Sequence, residues 1–407
     1  MSDPEVLALD AADPLAAFRD AFEAPEGVIY LDGNSLGQLP KAAVGRLDTV
    51  VREEWGRGLI RSWNDAGWIG AQARLGGKIA GLIGAETDEV IVSDSTSANL
   101  YKLVVAAMQA RPGRAVVLSE PGDFPTDLYM IEGALRTMGA GRRLELRANA
   151  DIEAALGEDV GLLVLCHSHY KTAAVRQMRE LTRAAQAAGA LVLWDLSHSG
   201  GVLEVDLNGC NADLAVGCTY KYLNGGPGSP AYLFVAKRHQ QALVSPLSGW
   251  MGHARPFDFV DHYEAGGGIQ RFACGTPPML SLAGLEPGID LAIEARTSRM
   301  AAKARALGDL FIRRTDGLDG VTLVSPRDPS ARGGHVSLSH PDGYAIVQAL
   351  IARGVIGDFR EPDIMRFGFS PLPLSFAEVA RAAEILADVL ATRAYDDPIY
   401  RRRSAVT

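Results

Sequence analysis

The chain has 407 residues, of which 47% are apolar and 22% charged, with a formal net charge of -9 at pH 7. Proportions this near the soluble average exclude a disordered or fibrous chain, and the interspersed acids and bases argue against a nucleic-acid partner. The start MSDPEVLALD carries acids where a signal peptide carries bases, and no apolar run reaches the length of a membrane span, so a cytoplasmic protein without a membrane partner is expected.

The first unit, residues 1–45, is too short to fold alone and is expected to pack on the others. Within the second, large unit, 46–285, short β-rich runs alternate with helical patterns from about residue 85 to 235: EVIVS, AVVLS, GLLVLC and LVLWD, each but the last followed by an amphipathic stretch. That alternation predicts an α/β fold, a mostly parallel sheet sandwiched by helices, whose ligands gather at the carboxyl ends of the strands. The segments after those strands are therefore where chemistry is sought.

After the first strand comes SDSTSAN, where the hydroxyls of Ser95, Thr96 and Ser97 and the free amides of a helix start suit either an ordinary N-cap or a phosphate cradle. After the second comes DFPTD, residues 123–127. Phe124 is placed to stack on a flat ring or simply to fill a proline turn, and Asp127 to hydrogen-bond ring substituents. The fourth strand closes on Asp195, with His198 three residues later, and DLAVGCTYK then ends in Lys221 between Tyr220 and Tyr222. Asp195 alone is compatible with a turn former. Neighbouring strand ends that aim a carboxylate and an amine into one crevice suit pyridoxal phosphate, which needs a lysine for its Schiff base and an acid beside its ring nitrogen.

An apolar-periodic stretch from about 276 to 315 leads to the last unit, 286–407, read as a smaller α+β domain. There Arg366, on a strand of IMRFGFS, is either an exposed strand arginine or a clamp for an α-carboxylate. Cys166, Cys210, Cys218 and Cys274 have no C-x-x-C spacing and read as reduced thiols; His167 and His169 lack partners that would complete a ligand set, so no metal is expected.

Taken together, YLDGNSLGQLP, FPTD, YKT, DLSHSGG, YKYLNGGPG, GWMGH and MRFGFSPLP, in order from residue 30 to 373, resemble the kynureninase family. The resemblance covers nearly the whole chain. It implies a pyridoxal-phosphate enzyme of fold type I, in the class V aminotransferase group, that hydrolyses the Cβ–Cγ bond of L-kynurenine or its 3-hydroxy analogue in tryptophan and kynurenine metabolism. By matching positions it implies Lys221, Tyr220 and Asp195 as catalytic residues, with Tyr220 carrying protons. Thr96, Ser97, Phe124, Pro125, Thr126, Asp127 and His198 then surround the cofactor. Trp250 and Thr276 reach it from the second subunit of a homodimer with a shared active site. Arg366, Asn34 and Ser35 bind the amino-acid substrate. Two departures stand out: Ala173 where many bacterial members have glycine, and Cys166 in place of a small hydroxyl residue. Among other pyridoxal enzymes an aminotransferase remains the alternative, whereas a cysteine desulfurase needs a nucleophilic cysteine in the C-terminal half, and none follows Cys274.

Overall fold

The computed structural model of the chain describes residues 3–403; the outermost residues of the first and last expected units lie outside that range. Thirteen strands occur among the described residues: β1 Ile29–Tyr30, β2 Val90–Val92, β3 Val116–Ser119, β4 Arg143–Leu146, β5 Val160–Cys166, β6 Leu191–Asp195, β7 Leu214–Gly217, β8 Tyr232–Val235, β9 Thr322–Leu323, β10 His335–Ser339, β11 Val355–Ile356, β12 Asp358–Arg360 and β13 Ile364–Gly368. Seven of them form a sheet in the order β2-β8-β7-β6-β5-β3-β4. All of its pairings are parallel except those of β8.

The sequence of β5, VGLLVLC, shows why that sheet forms: every residue is buried, as a strand covered on both faces requires. Leu163, Leu165, Val192 and Trp194 point into one apolar layer with the helices Ala71–Ala80, Met178–Ala187 and Met279–Ala295. Leu162, Val164, Leu191 and Leu193 point into the other, with the helices Thr96–Gln109 and Pro125–Thr137. Two strands escape the sequence reading. β4, RLEL, is a short polar edge strand without the apolar run of its neighbours. β8 returns antiparallel because NGGPGSP, which precedes it, is too rich in glycine and proline to build the crossover helix that a parallel return needs. Since β8 is antiparallel to both β2 and β7, those two run the same way, and the carboxyl ends of β2, β3, β5, β6 and β7 share one edge.

The stretch from 276 to 315 is two helices, Met279–Ala295 and Thr297–Thr315, separated at Arg296, whose φ of 67° breaks the helical path. The first belongs to the core of the large sheet; the second still enters that core at Met300 and then joins, through Leu307, Leu310 and Phe311, the core of a four-stranded antiparallel sheet, β12-β13-β10-β9. In the smaller sheet Val336, Leu338, Met365 and Phe367 face helices, and the alternate residues His335, Ser337, Arg366 and Gly368 face the other way. Polar groups on a buried face need a partner surface, and the large unit provides it.

The N-terminal segment ties the two units together. Its strand β1 pairs in parallel with β11, Asp10 accepts hydrogen bonds from the amides of Phe376 and Ala377 at the start of the helix Phe376–Ala391, and Asp13 forms a buried ion pair of 2.6 Å with Lys303. Leu15 and Phe22 enter the core of the large sheet. No helix among the described residues is long and apolar enough to cross a membrane.

Candidate active site

Asp195 closes β6 beside Cys166, its registered neighbour at the end of β5. One carboxylate oxygen of Asp195 accepts from the amide and hydroxyl of Ser197, at 2.9 and 2.6 Å, and the other lies 3.7 Å from the Cys166 thiol. The first turn of the helix Pro125–Thr137 brings in Asp127, to which the same thiol donates at 3.5 Å. Oxygens of the two acids and the sulfur lie within 4.8 Å of one another. Burial, then the charges of Asp195 and Asp123, pushes the Asp127 carboxyl well above the usual carboxylate range. Burial, then the charges of Asp123, Asp127 and Asp195, raises the Cys166 thiol too, so it stays protonated and donates.

Lys221 follows β7 on the same edge and is buried. Its amine lies 3.0 Å from His198 Nε2 and is flanked by the rings of Tyr220 and Phe124, 5.7 and 5.9 Å from their centroids. Burial first, then the Lys221 charge, holds the His198 imidazole far below its ordinary pKa, so it is neutral and accepts at Nε2; its Nδ1 has no hydrogen-bond partner among the described residues. Burial likewise keeps the Tyr220 hydroxyl protonated. The lysine loop is held by YLDGNSLGQLP: the Gly37 amide donates to the Tyr220 carbonyl at 2.8 Å, and a Cβ at Gly37 would lie 2.2 Å from the Lys221 carbonyl oxygen. Only glycine permits that approach.

Among the described residues no carboxylate pairs with Lys221, and neither Asp195 nor Asp127 has a basic partner. A buried amine without an acid, and two buried acids without a base, at one sheet edge fit a flat ligand that bonds covalently to the amine and presents a ring N–H to the acids. Pyridoxal phosphate has that chemistry. Phe124, 38% exposed on the lysine side, offers a face for the ring, and Pro125 and Thr126 set the turn that carries it. Thr96 and Ser97 open the helix after β2, where first-turn amides are free for a phosphate; the Ser95 side chain is spent capping the Ala98 amide.

Arg366 is buried, not an exposed strand residue. Its guanidinium donates to both oxygens of Asp358, directly across on β12, to the Tyr170 carbonyl at 2.6 Å and to the Ser35 hydroxyl at 3.3 Å. Ser35 in turn donates to Asp358 at 3.0 Å, and Asn34 is fully buried beside Gly368. Asp32, in the same cluster, is pushed up to about 7 by burial and by the Asp358 charge.

Trp250 and Thr276 stand apart. No hydrogen bond or ring contact among the described residues joins either to Lys221 or Asp195; Trp250 instead meets Trp63 and Phe257 edge-on, and Thr276 is exposed. Sequence reasoning also passed over Asp358, Tyr170, whose ring meets Phe124 edge-on at 5.3 Å, and Arg176, which binds Glu120, Asp123 and the Cys166 carbonyl. The D-x-R of GDFR, placing two charges on one face of a strand, was the available signal for Asp358.

The departure at Ala173 has a physical consequence. Ala173 is buried at φ 60°, with its amide donating to the His169 carbonyl at 2.8 Å and its carbonyl accepting from the Gly333 amide at 2.7 Å. A side chain in the left-handed region costs about 1–2 kcal/mol, of which glycine's greater chain entropy offsets about 0.5–1. Ala173→Gly is therefore expected to raise the melting temperature by about 1–3 °C; a lower value in a thermal melt would show that the methyl group packs favourably enough to outweigh the strain.

Residues 300–386 match the family model for the kynureninase C-terminal domain. The chain is 48% identical over 411 aligned positions to a kynureninase of Burkholderia mallei strain SAVP1, and 47% identical to one of Pseudomonas fluorescens, with 99% of each chain covered in both cases. Among solved structures it superposes on a cysteine desulfurase from Thermococcus onnurineus NA1 with a TM-score of 0.77 and 19% identity, covering 96% of this chain and 99% of that one. A lysine-to-alanine variant of C-DES with glycine covalently linked to its PLP cofactor gives a TM-score of 0.80 at 18% identity, covering 91% and 99%. These two likenesses establish the fold, an α/β architecture shared with pyridoxal-phosphate enzymes of fold type I.

Proposed function

The chain belongs to the kynureninase family, and from that premise we propose that it hydrolyses L-kynurenine, or 3-hydroxy-L-kynurenine, to anthranilate or 3-hydroxyanthranilate and L-alanine. Water supplies the oxygen that completes the aryl carboxylate, and a proton ends on the alanine methyl carbon as the Cβ–Cγ bond breaks. The observation that carries this reading is that, among the described residues, the Lys221 amine has no acid partner and the Asp195 and Asp127 carboxyls no basic one, at one sheet edge.

Pyridoxal phosphate, when bound, holds the substrate nitrogen covalently and draws electrons from its α and β carbons. Lys221 would carry the cofactor and, once released from it, take the α-proton, with neutral His198 keeping the amine in place at 3.0 Å. Asp195, oriented by its two bonds from Ser197, would be the acid beside the ring nitrogen. Thr96 and Ser97 serve the phosphate, Phe124 the ring face, and Arg366 with Asn34 and Ser35 the substrate carboxylate. Tyr220 handles protons at the ketone end: its hydroxyl is protonated and its ring lies beside Lys221. Tyr220→Phe is expected to bind cofactor normally while losing about 10²–10⁴-fold in kcat; unchanged turnover would remove Tyr220 from the mechanism.

The working unit is a homodimer, with Trp250 and Thr276 serving the partner's site. In its favour, Trp55, Ile60, Phe257 and Phe259 are all exposed, on two segments that meet where Trp63 touches Trp250. Light scattering should give twice 43.3 kDa, and a fully active monomer would contradict the shared site. The domain reading that follows is a large cofactor unit and a small C-terminal unit dividing at Arg296, with the N-terminal segment bridging them. The activity itself is tested by mixing the purified protein, loaded with pyridoxal phosphate, with L-kynurenine and measuring anthranilate and L-alanine. Equimolar release supports the reading; formation of a keto acid instead would point to the aminotransferase alternative.

A further inference from the structure

The polar face of the small sheet holds more than Arg366. His335 on β10 stands opposite Gly368 on β13, and Ser337 opposite Arg366, so His335 and Arg366 share a face as diagonal neighbours. Gly368 has no side chain there, and Asn34 fills the place: a Cβ at Gly368 would lie 1.9 Å from Asn34 Oδ1. His335 is 1% exposed and Asn34 fully buried, yet neither ring nitrogen of His335 and neither amide atom of Asn34 has a hydrogen-bond partner among the described residues. Native proteins retain few such groups, and each asks for an occupant.

The His335 ring meets that of His198 edge-on, with centroids 5.5 Å apart, and His198 holds the Lys221 amine. His335 therefore lies between His198, which holds that amine, and its diagonal neighbour Arg366, with Asn34 beside it at Gly368. Burial and the Arg366 charge keep His335 neutral, so its ring offers one N–H donor and one acceptor. Arg366 has little left to give: of its five N–H groups, four hydrogen bonds already go to Asp358, Tyr170 and Ser35.

We propose that His335 is a substrate-binding residue, donating with Asn34 and the remaining Arg366 N–H to the α-carboxylate of the amino acid. This rests on the reading that the site takes an α-amino acid on bound pyridoxal phosphate. Neutral donors complete the carboxylate's hydrogen bonds without adding charge to a pocket that already holds Arg366, Arg360, Asp358 and Asp32.

The experiment titrates the holoenzyme with L-alanine and with ethylamine, its counterpart lacking the carboxylate, following the cofactor's absorbance. His335→Phe keeps the ring contact with His198 and removes the donor; His335→Gln restores a donor. The expected result is a Kd for L-alanine raised about tenfold in the Phe variant and largely recovered in the Gln variant, with ethylamine unchanged. Equal weakening of both ligands, or of neither, would overturn the assignment in favour of a packing role. If the Phe variant fails to fold, the same comparison is made with His335→Ala. A wild-type holoenzyme that responds to neither ligand overturns the underlying reading of the site as well.

Discussion

Replacing Lys221 with alanine is expected to lower turnover of L-kynurenine by about 10⁴–10⁶-fold, the range seen when a covalent catalytic group is deleted. Two losses combine. On the proposed mechanism the variant lacks both the amine that would hold the cofactor and the base for the α-proton, at the shared carboxyl edge of β5, β6 and β7. The buried neighbours are poor substitutes, because burial alone still holds the His198 imidazole below its ordinary pKa and keeps the Tyr220 hydroxyl protonated. Lys221→Arg should fare little better, since a guanidinium neither forms the linkage nor gives up its proton. Stopped assays with excess pyridoxal phosphate decide the matter, and turnover within tenfold of wild type would place the chemistry elsewhere.

Asp195 and Asp127 should respond very differently to the same change. Asp195→Asn removes the carboxylate that Ser197 orients, and is expected to cost about 10²–10³-fold in kcat/KM, the size of one preorganised contact. Asp127→Asn should stay within about tenfold of wild type. The reason is that burial and the Asp195 and Asp123 charges already hold Asp127 in its neutral form, for which an amide is a close substitute. Steady-state kinetics of the two variants side by side give the test. Equal losses would mean that both acids are charged at the ring, and a larger loss for Asp127 would exchange their roles.

The parts of the site most legible in the sequence were those made by consecutive residues at strand ends. A run buried on both faces can only be an inner strand, so LVLWD announced where Asp195 would stand. DLAVGCTYK did the same for Lys221, and the glycines beyond it marked where backbone must approach closely. The helix starts at Thr96 and Pro125 were equally local, written in N-cap and proline chemistry.

What the sequence withheld was made by pairing across distance. Arg366 was visible, but its partner Asp358 is fixed by antiparallel register between β12 and β13, which hydrophobic alternation does not specify. His335 carries no motif; it matters because Gly368 lies across from it and Asn34 enters from a segment more than 300 residues away in sequence. The reversal of β8 was lost for a related reason. Direction depends on whether the intervening residues can build a crossover, and a strand's own composition is silent on that. The helix break at Arg296 follows no proline or glycine, so periodicity ran straight through it.

The most direct measurement on the proposed cofactor lysine is hydride reduction of the holoenzyme followed by peptide mass mapping. One pyridoxyl group per chain on Lys221, within TYKYLNGGPG, is the expected result. A label on another lysine, or a holoenzyme in which reduction fixes no label at all, would contradict it.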